Sequence, residues 1–207
     1  MCAATLKIAL CAIVKLMKNI LLIAASIITV GSVIPYLRDI LRGTTKPNIV
    51  SWLTWTILTA IATVAEIAAH EYTTAIFTSS AVVETGLVVA LGLKYGYAKY
   101  SKFDVICQIS ALSGLVLWWL FNSPALAVIA AATIDFIGAL PTIRHSWLMP
   151  GEETWSTYAT AGLGGLLAIF ALTAYNWTSL TYAVYIVLIN LVLSTILIAR
   201  GRRNLTA

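Results

Sequence analysis

The sequence predicts an all-α, polytopic membrane protein with seven transmembrane helices, and three observations carry that expectation. Of the 207 residues, 60% are apolar and only 10% charged, whereas a water-soluble domain of this size carries about 25% charged residues to cover its surface. The mean hydropathy is +0.93. The apolar residues gather into seven stretches of 18 to 22 residues, close to the roughly 20 that a helix needs to cross about 30 Å of hydrocarbon. Open strands would leave backbone groups unpaired in lipid, and the uninterrupted apolar runs lack the alternation of a membrane barrel. No stretch is left over for a soluble domain, so any function is expected between the helices.

Residues 1–19 carry Lys7, Lys15 and Lys18, which fall within about 80° of one another around a helix. They predict an interfacial amphipathic helix, with a translation start at Met17 as the alternative. A secretory signal fits less well, because the lysines interrupt the apolar region and no small-residue cleavage site precedes the first span. Residues 20–93 hold spans 20–37, 49–69 and 73–93. Residues 94–123 hold a single span at 103–121 with its flanks. Residues 124–199 hold spans 124–143, 155–175 and 178–199, and 200–207 form a basic tail. Ten basic residues follow the first, third and fifth spans or lie at the C-terminus, against three on the opposite side. The excess of Lys and Arg on cytoplasmic loops puts the C-terminus in the cytoplasm and the N-terminus outside. It also explains the net charge of +5 without a nucleic-acid-binding patch. Cys2, Cys11 and Cys107 have no metal-like spacing and read as small hydrophobes.

Shifting the sequence by 106 residues brings Pro35 onto Pro141, Leu37 onto Ile143, Arg38 onto Arg144, Ser51 onto Thr157, Trp52 onto Tyr158 and Glu84 onto Asn190. The matches cover spans one to three and five to seven. One span separates the two triplets, so both enter the membrane from the same face, and the repeats are parallel, with the fourth span as linker (3+1+3).

With that arrangement, an outside N-terminus, a proline near the cytoplasmic end of spans one and five, and the following loops PYLRDILRGTTKPNIVSW and PTIRHSWLMPGEETWSTY, the chain resembles the SWEET and PQ-loop transporter superfamily. It looks closest to a group of uncharacterised prokaryotic seven-helix membrane proteins that share its KPNIVSW, FDVICQISALSGLVLW and DFIGALPTIRHSW stretches. Tyr36 and Thr142 stand where the glutamine of the PQ dipeptide would be. The resemblance implies a prokaryotic cell membrane and a transporter, with paired polar residues on the third and seventh spans touching the solute; Glu84 and Asn190 occupy those positions.

Read from the residues alone, ionisable groups at mid-membrane are functional candidates because placing them there costs several kcal/mol. Glu84 and Asp135 are each the twelfth residue of a span running inward, about 17 Å below the outer surface. Asn190 lies at about the same depth. These three form the expected substrate-binding layer. The competing reading is structural: buried polar groups joining helices, with Asp135 accepting from nearby hydroxyls. Buried carboxyls would suit proton coupling or a cationic solute.

Pro35 and Pro141 each remove a backbone hydrogen bond, either bending a helix at an inner gate or marking the end of a span. Trp52 and Tyr158 are gate candidates through the repeat, although Trp52, Trp55, Trp155 and Tyr158 would also fit an aromatic belt at the interface. Gly162, Gly164 and Gly165 give a flat face for close helix packing. Glu66 and His70 have i, i+4 spacing, more in keeping with a solvated rim than a pH-sensitive contact. No Walker loop, dinucleotide fingerprint or Ser-centred elbow occurs. The expectation is therefore a transporter of a small polar solute, not an enzyme. It uses no cofactor and no metal, and its partners are the lipid bilayer, the solute and, in a homo-oligomer, further copies of the chain. A one-sided receptor or trafficking protein is the alternative, and an intramembrane carboxylate enzyme a weaker one.

Overall fold

The computed structural model describes residues 2–68, 70, 72–95, 100–120, 124–172, 175 and 177–204. Among them are seven α-helices, one 3-10 turn and no strand. The helices are α1 (Cys2–Leu41), α2 (Ile49–Ala68), α3 (Tyr72–Tyr95), α4 (Lys102–Leu120), α5 (Pro124–Leu148), α6 (Trp155–Ala171) and α7 (Trp177–Asn204), with the 3-10 turn at Pro150–Glu152 between α5 and α6. Two stretches, Ala9–Leu41 and Leu180–Gly201, are long and apolar enough to cross a bilayer. These are the two among the described residues, where Ile49–Val64 is a shorter apolar helix.

Local chemistry sets several of the ends. Gly43, at φ +74°, terminates α1 and lets Thr44 and Thr45 donate to the Asp39 carbonyl at 3.0 and 3.1 Å, as a left-handed residue after a helix commonly does. Asn48 opens α2 by accepting the Val50 N–H at 3.1 Å. At α4, Ser101 Oγ accepts the Asp104 N–H at 3.2 Å while Asp104 Oδ2 accepts the Ser101 N–H at 2.7 Å, a reciprocal cap that satisfies donors the helix itself leaves free.

Residues 2–19 are not a separate segment, because α1 runs unbroken into the first expected span. Its apolar side chains Leu6, Leu10, Ile13 and Met17 are exposed. The prolines do not end their helices either: α1 continues six residues beyond Pro35 and α5 seven beyond Pro141. Behind Pro141, the Thr142 N–H donates to Ser51 Oγ of α2 at 3.2 Å, so a neighbouring helix serves a backbone donor where the proline interrupts the ladder.

The helices pack as two similar groups. α3 packs against both α1 and α2, whose backbones stay apart although Tyr36 of α1 reaches Trp52 of α2; α7 packs against both α5 and α6, whose backbones likewise stay apart among the described residues. The groups join through α1 against α6 and α2 against α5, and α4 lies against α5 and α2. Glycines allow the close approaches. A Cβ on Gly138 would fall 2.6 Å from Thr54 Cγ2 of α2, and one on Gly164 would run into Thr29 and the Ala25 carbonyl of α1. Gly162 and Gly165 lie against α7, where a Cβ would meet Asn190 Cβ and Ile186 Cγ2 at 3.3 Å. The expected flat glycine face is thus a packing face on two sides.

Burial is inverted relative to a water-soluble protein. Ile27, Ile34, Val83, Ile106 and Leu188 are more than half exposed, while Ser51, Thr54, Glu84, Asp104, Asp135 and Thr142 are buried.

Candidate functional site

A cavity of about 430 Å³ lies between the two helix groups, within the size range of small-molecule sites. Glu84 of α3, Asp135 of α5 and Asn190 of α7 all line it, so the three residues expected to form one layer do face one space. Trp52 and Tyr158 line it as well. Pro35 and Pro141 do not. Each precedes a residue buried in the packed end below the cavity, Tyr36 and Thr142.

The three polar residues are held differently. Glu84 is 7% exposed and, among the described residues, receives one long hydrogen bond, from Ser32 Oγ at 3.4 Å. Asp135, 4% exposed, accepts from the Tyr185 hydroxyl. It is therefore an acceptor for an aromatic side chain rather than for serine or threonine hydroxyls. Asn190 donates its amide to the Ile186 carbonyl of its own helix at 2.9 Å.

One end of the cavity is closed by side chains from α1, α2, α6 and the preceding loop. Tyr36 packs on Trp52, ring centroids 4.9 Å apart, and edge-on to Tyr158 at 6.3 Å. Trp52 Nε1 donates to the Tyr36 hydroxyl at 3.2 Å. The Tyr36 and Tyr158 hydroxyls both donate to Glu153 Oε2, at 2.8 and 2.9 Å. Glu153 Oε1 is buried with no hydrogen-bond partner among the described residues. Burial pushes the Glu153 carboxyl up to about 8, against the pull of the two tyrosine hydroxyls, because the charged form loses its hydration.

A second layer sits outside this one. Thr45 and Thr154 share a hydrogen bond of 2.7 Å, and Thr154 donates to Asp39 Oδ2 at 3.1 Å. The Lys46 N–H donates to the Glu152 carbonyl at 2.9 Å, and Lys46 Nζ pairs with Glu152 Oε1 at 2.5 Å. From this end the cavity extends along the helices to Ala62, Thr78, Val128 and Tyr182.

Several expectations need correction. Of the four aromatics fitting an interfacial belt, only Trp155 is exposed; Trp52, Trp55 and Tyr158 turn inward and line the cavity. His70 lies off the helix at φ +61° and exposed, where it ends α2, and the Glu66 side chain lies outside the described residues. Reasoning from sequence passed over Tyr36, Glu153, Tyr182 and Tyr185. Tyr182 was accessible by helical spacing, since Tyr182, Ile186, Ile189, Asn190 and Leu193 fall on one face of α7 and all line the cavity. Comparison with family models, with curated proteins and with solved structures finds no match.

Proposed function

We propose that all seven helices cross a lipid bilayer as two parallel three-helix repeats, α1–α3 and α5–α7, with α4 as linker. In this reading the chain is a transporter similar to the SWEET and PQ-loop superfamily, moving a small polar solute by alternating access through the cavity between the repeats. The C-terminus and the closed end of the cavity face the cytoplasm, and the N-terminus faces outside, as the ten-to-three division of basic residues expects.

The observation that carries the reading is the cavity itself, which holds both buried carboxyls and is sealed at one end by contacts between the two helix groups. Residues 106 apart support the repeat. Thr29 and Asp135, Trp52 and Tyr158, Trp55 and Ala161, Thr59 and Gly165, and Glu84 and Asn190 line the cavity as pairs. Lys46 and Glu152, also 106 apart, bond to each other. Equivalent residues that touch must lie near the axis relating the repeats, and a gate on that axis is broken or made by moving one repeat against the other. The outward-facing apolar side chains supply the surface that lipid covers.

A pocket sealed at one end is equally what a receptor with a ligand site on one face would have. The discriminating experiment is a solute screen in proteoliposomes with an imposed pH gradient, comparing wild type with Glu84→Gln and Asp135→Asn. Loss of gradient-driven accumulation in either variant, with downhill exchange retained, is the expected result. Wild-type accumulation in both would make the carboxyls structural. A ligand that stabilises the protein from one side while no solute moves would replace the transporter with the receptor.

A further inference from the structure

We propose that the cavity takes an organic cation with an apolar, aromatic-sized body, its positive group held against Glu84 and the aromatic wall formed by Trp52, Trp55, Tyr158 and Tyr182. The proposal names a substrate class for the site above and rests on the transport reading for the passage of that substrate across the membrane.

Charge gives the first argument. The lining carries two acids, Glu84 and Asp135, and among the described residues no lysine, arginine or histidine. An anion entering this space would meet like charge with no counter-ion whenever an acid is ionised, whereas a cation supplies the counter-charge that lets a buried carboxyl stay ionised.

Hydrogen-bonding capacity gives the second. Two of the aromatic donors on the wall are already engaged, Trp52 with Tyr36 and Tyr158 with Glu153. Thr59 and Thr85 donate to the carbonyls of Trp55 and Ala81 at 2.8 Å, and Asn190 to Ile186. What remains includes the acceptor oxygens of Glu84 and Asn190 and the Thr157 hydroxyl, which is buried with no partner among the described residues. A sugar both donates and accepts at every hydroxyl, and each unmatched acceptor would be buried at a cost of about 1–3 kcal/mol. A cationic nitrogen, with or without N–H groups, accepts nothing and asks for no donor from the wall.

The two carboxyls then divide the work. Asp135 accepts from the Tyr185 hydroxyl of α7, which ties that carboxyl into the packing of α5 on α7. Glu84, with its single long bond from Ser32, keeps acceptor capacity for a ligand. Aromatic faces attract a desolvated cation as well, Trp most strongly.

Benzyltrimethylammonium, whose charge is permanent, tests the proposal against phenethyl alcohol, a neutral aromatic of similar size, and against glucose. The expected result is thermal stabilisation and uptake of benzyltrimethylammonium by wild type. Glu84→Gln should weaken its binding by roughly tenfold or more, with phenethyl alcohol bound equally by both proteins and Glu84→Asp restoring part of the affinity. If Glu84→Gln is not recovered folded, modification of wild-type Glu84 by a hydrophobic carbodiimide, read by mass spectrometry, should be slowed by benzyltrimethylammonium and not by phenethyl alcohol. Equal stabilisation by the neutral probe, unchanged affinity in Glu84→Gln, or carbodiimide labelling indifferent to the cation would overturn the proposal. Glucose accumulation without movement of the cation would overturn it and leave transport standing. Cation binding without any uptake would leave the site standing and overturn transport.

Discussion

The closed end and the cavity are a few helical turns apart on the same helices, yet they handle polar groups in opposite ways. At the closed end, donors and acceptors from the two helix groups satisfy one another: Tyr36 of α1 and Tyr158 of α6 on Glu153, Thr45 on Thr154, Lys46 on Glu152. In the cavity, hydroxyls and amides turn back on their own helices, and Glu84 is left with one weak partner. The first arrangement joins two bodies by bonds that water can replace when they part. The second keeps a space whose polarity is completed by whatever enters it.

The sharpest way to break both regions at once is to force the two helix groups apart. Gly164→Val puts a branched side chain where α1 already touches α6, and overpacking of this kind costs about 3 kcal/mol. The expected outcome is loss of monodisperse protein by fluorescence-detected gel filtration. Gly31→Ala, on α1 with open space around its position, should behave as wild type.

A smaller effect isolates the closed end. The folded protein keeps a proton on Glu153 up to about pH 8, whereas the ordinary carboxyl value is 4.5. The folded state therefore binds more protons than the unfolded one between those values. The stability this group contributes is full below pH 4.5 and is lost as pH rises through about 8. The thermal midpoint of purified protein should fall by several degrees across that window. Glu153→Gln retains an oxygen for both tyrosine hydroxyls and should flatten the slope; an unchanged slope would assign it to another group.

The difference between the regions also decides how much the sequence revealed. A carboxyl inside twenty apolar residues is conspicuous, and helical rise alone put Glu84, Asp135 and Asn190 at one level; all three line the cavity. Glu153 is not conspicuous. It sits in the loop segment PGEET beside Glu152, and nothing in the spacing tells which of two adjacent acids turns inward. Aromatics near span ends were ambiguous for a related reason, because belt and gate use the same residue types and only packing separates Trp155 from Trp52. Helix positions followed from hydropathy, but the C-terminal ends of α1, α3, α5 and α7 run two to five residues beyond the expected spans. Apolar sequence stops where lipid would stop, while backbone hydrogen bonding continues into water. Residues 2–19, whose lysines read as the mark of a separate segment, continue α1 without a break, since nothing in them interrupts a helix.

The central claim is that the contacts between the two helix groups at the closed end must open for solute to pass. Thr45 and Thr154 bring their hydroxyls to 2.7 Å across that junction. The direct measurement is transport by a Thr45→Cys/Thr154→Cys variant, with Cys2, Cys11 and Cys107 replaced by serine, before oxidation, after it and after reduction. Oxidation should stop transport in proportion to the cross-linked fraction, and reduction should restore it. Transport at the uncross-linked rate by fully cross-linked protein would contradict the account.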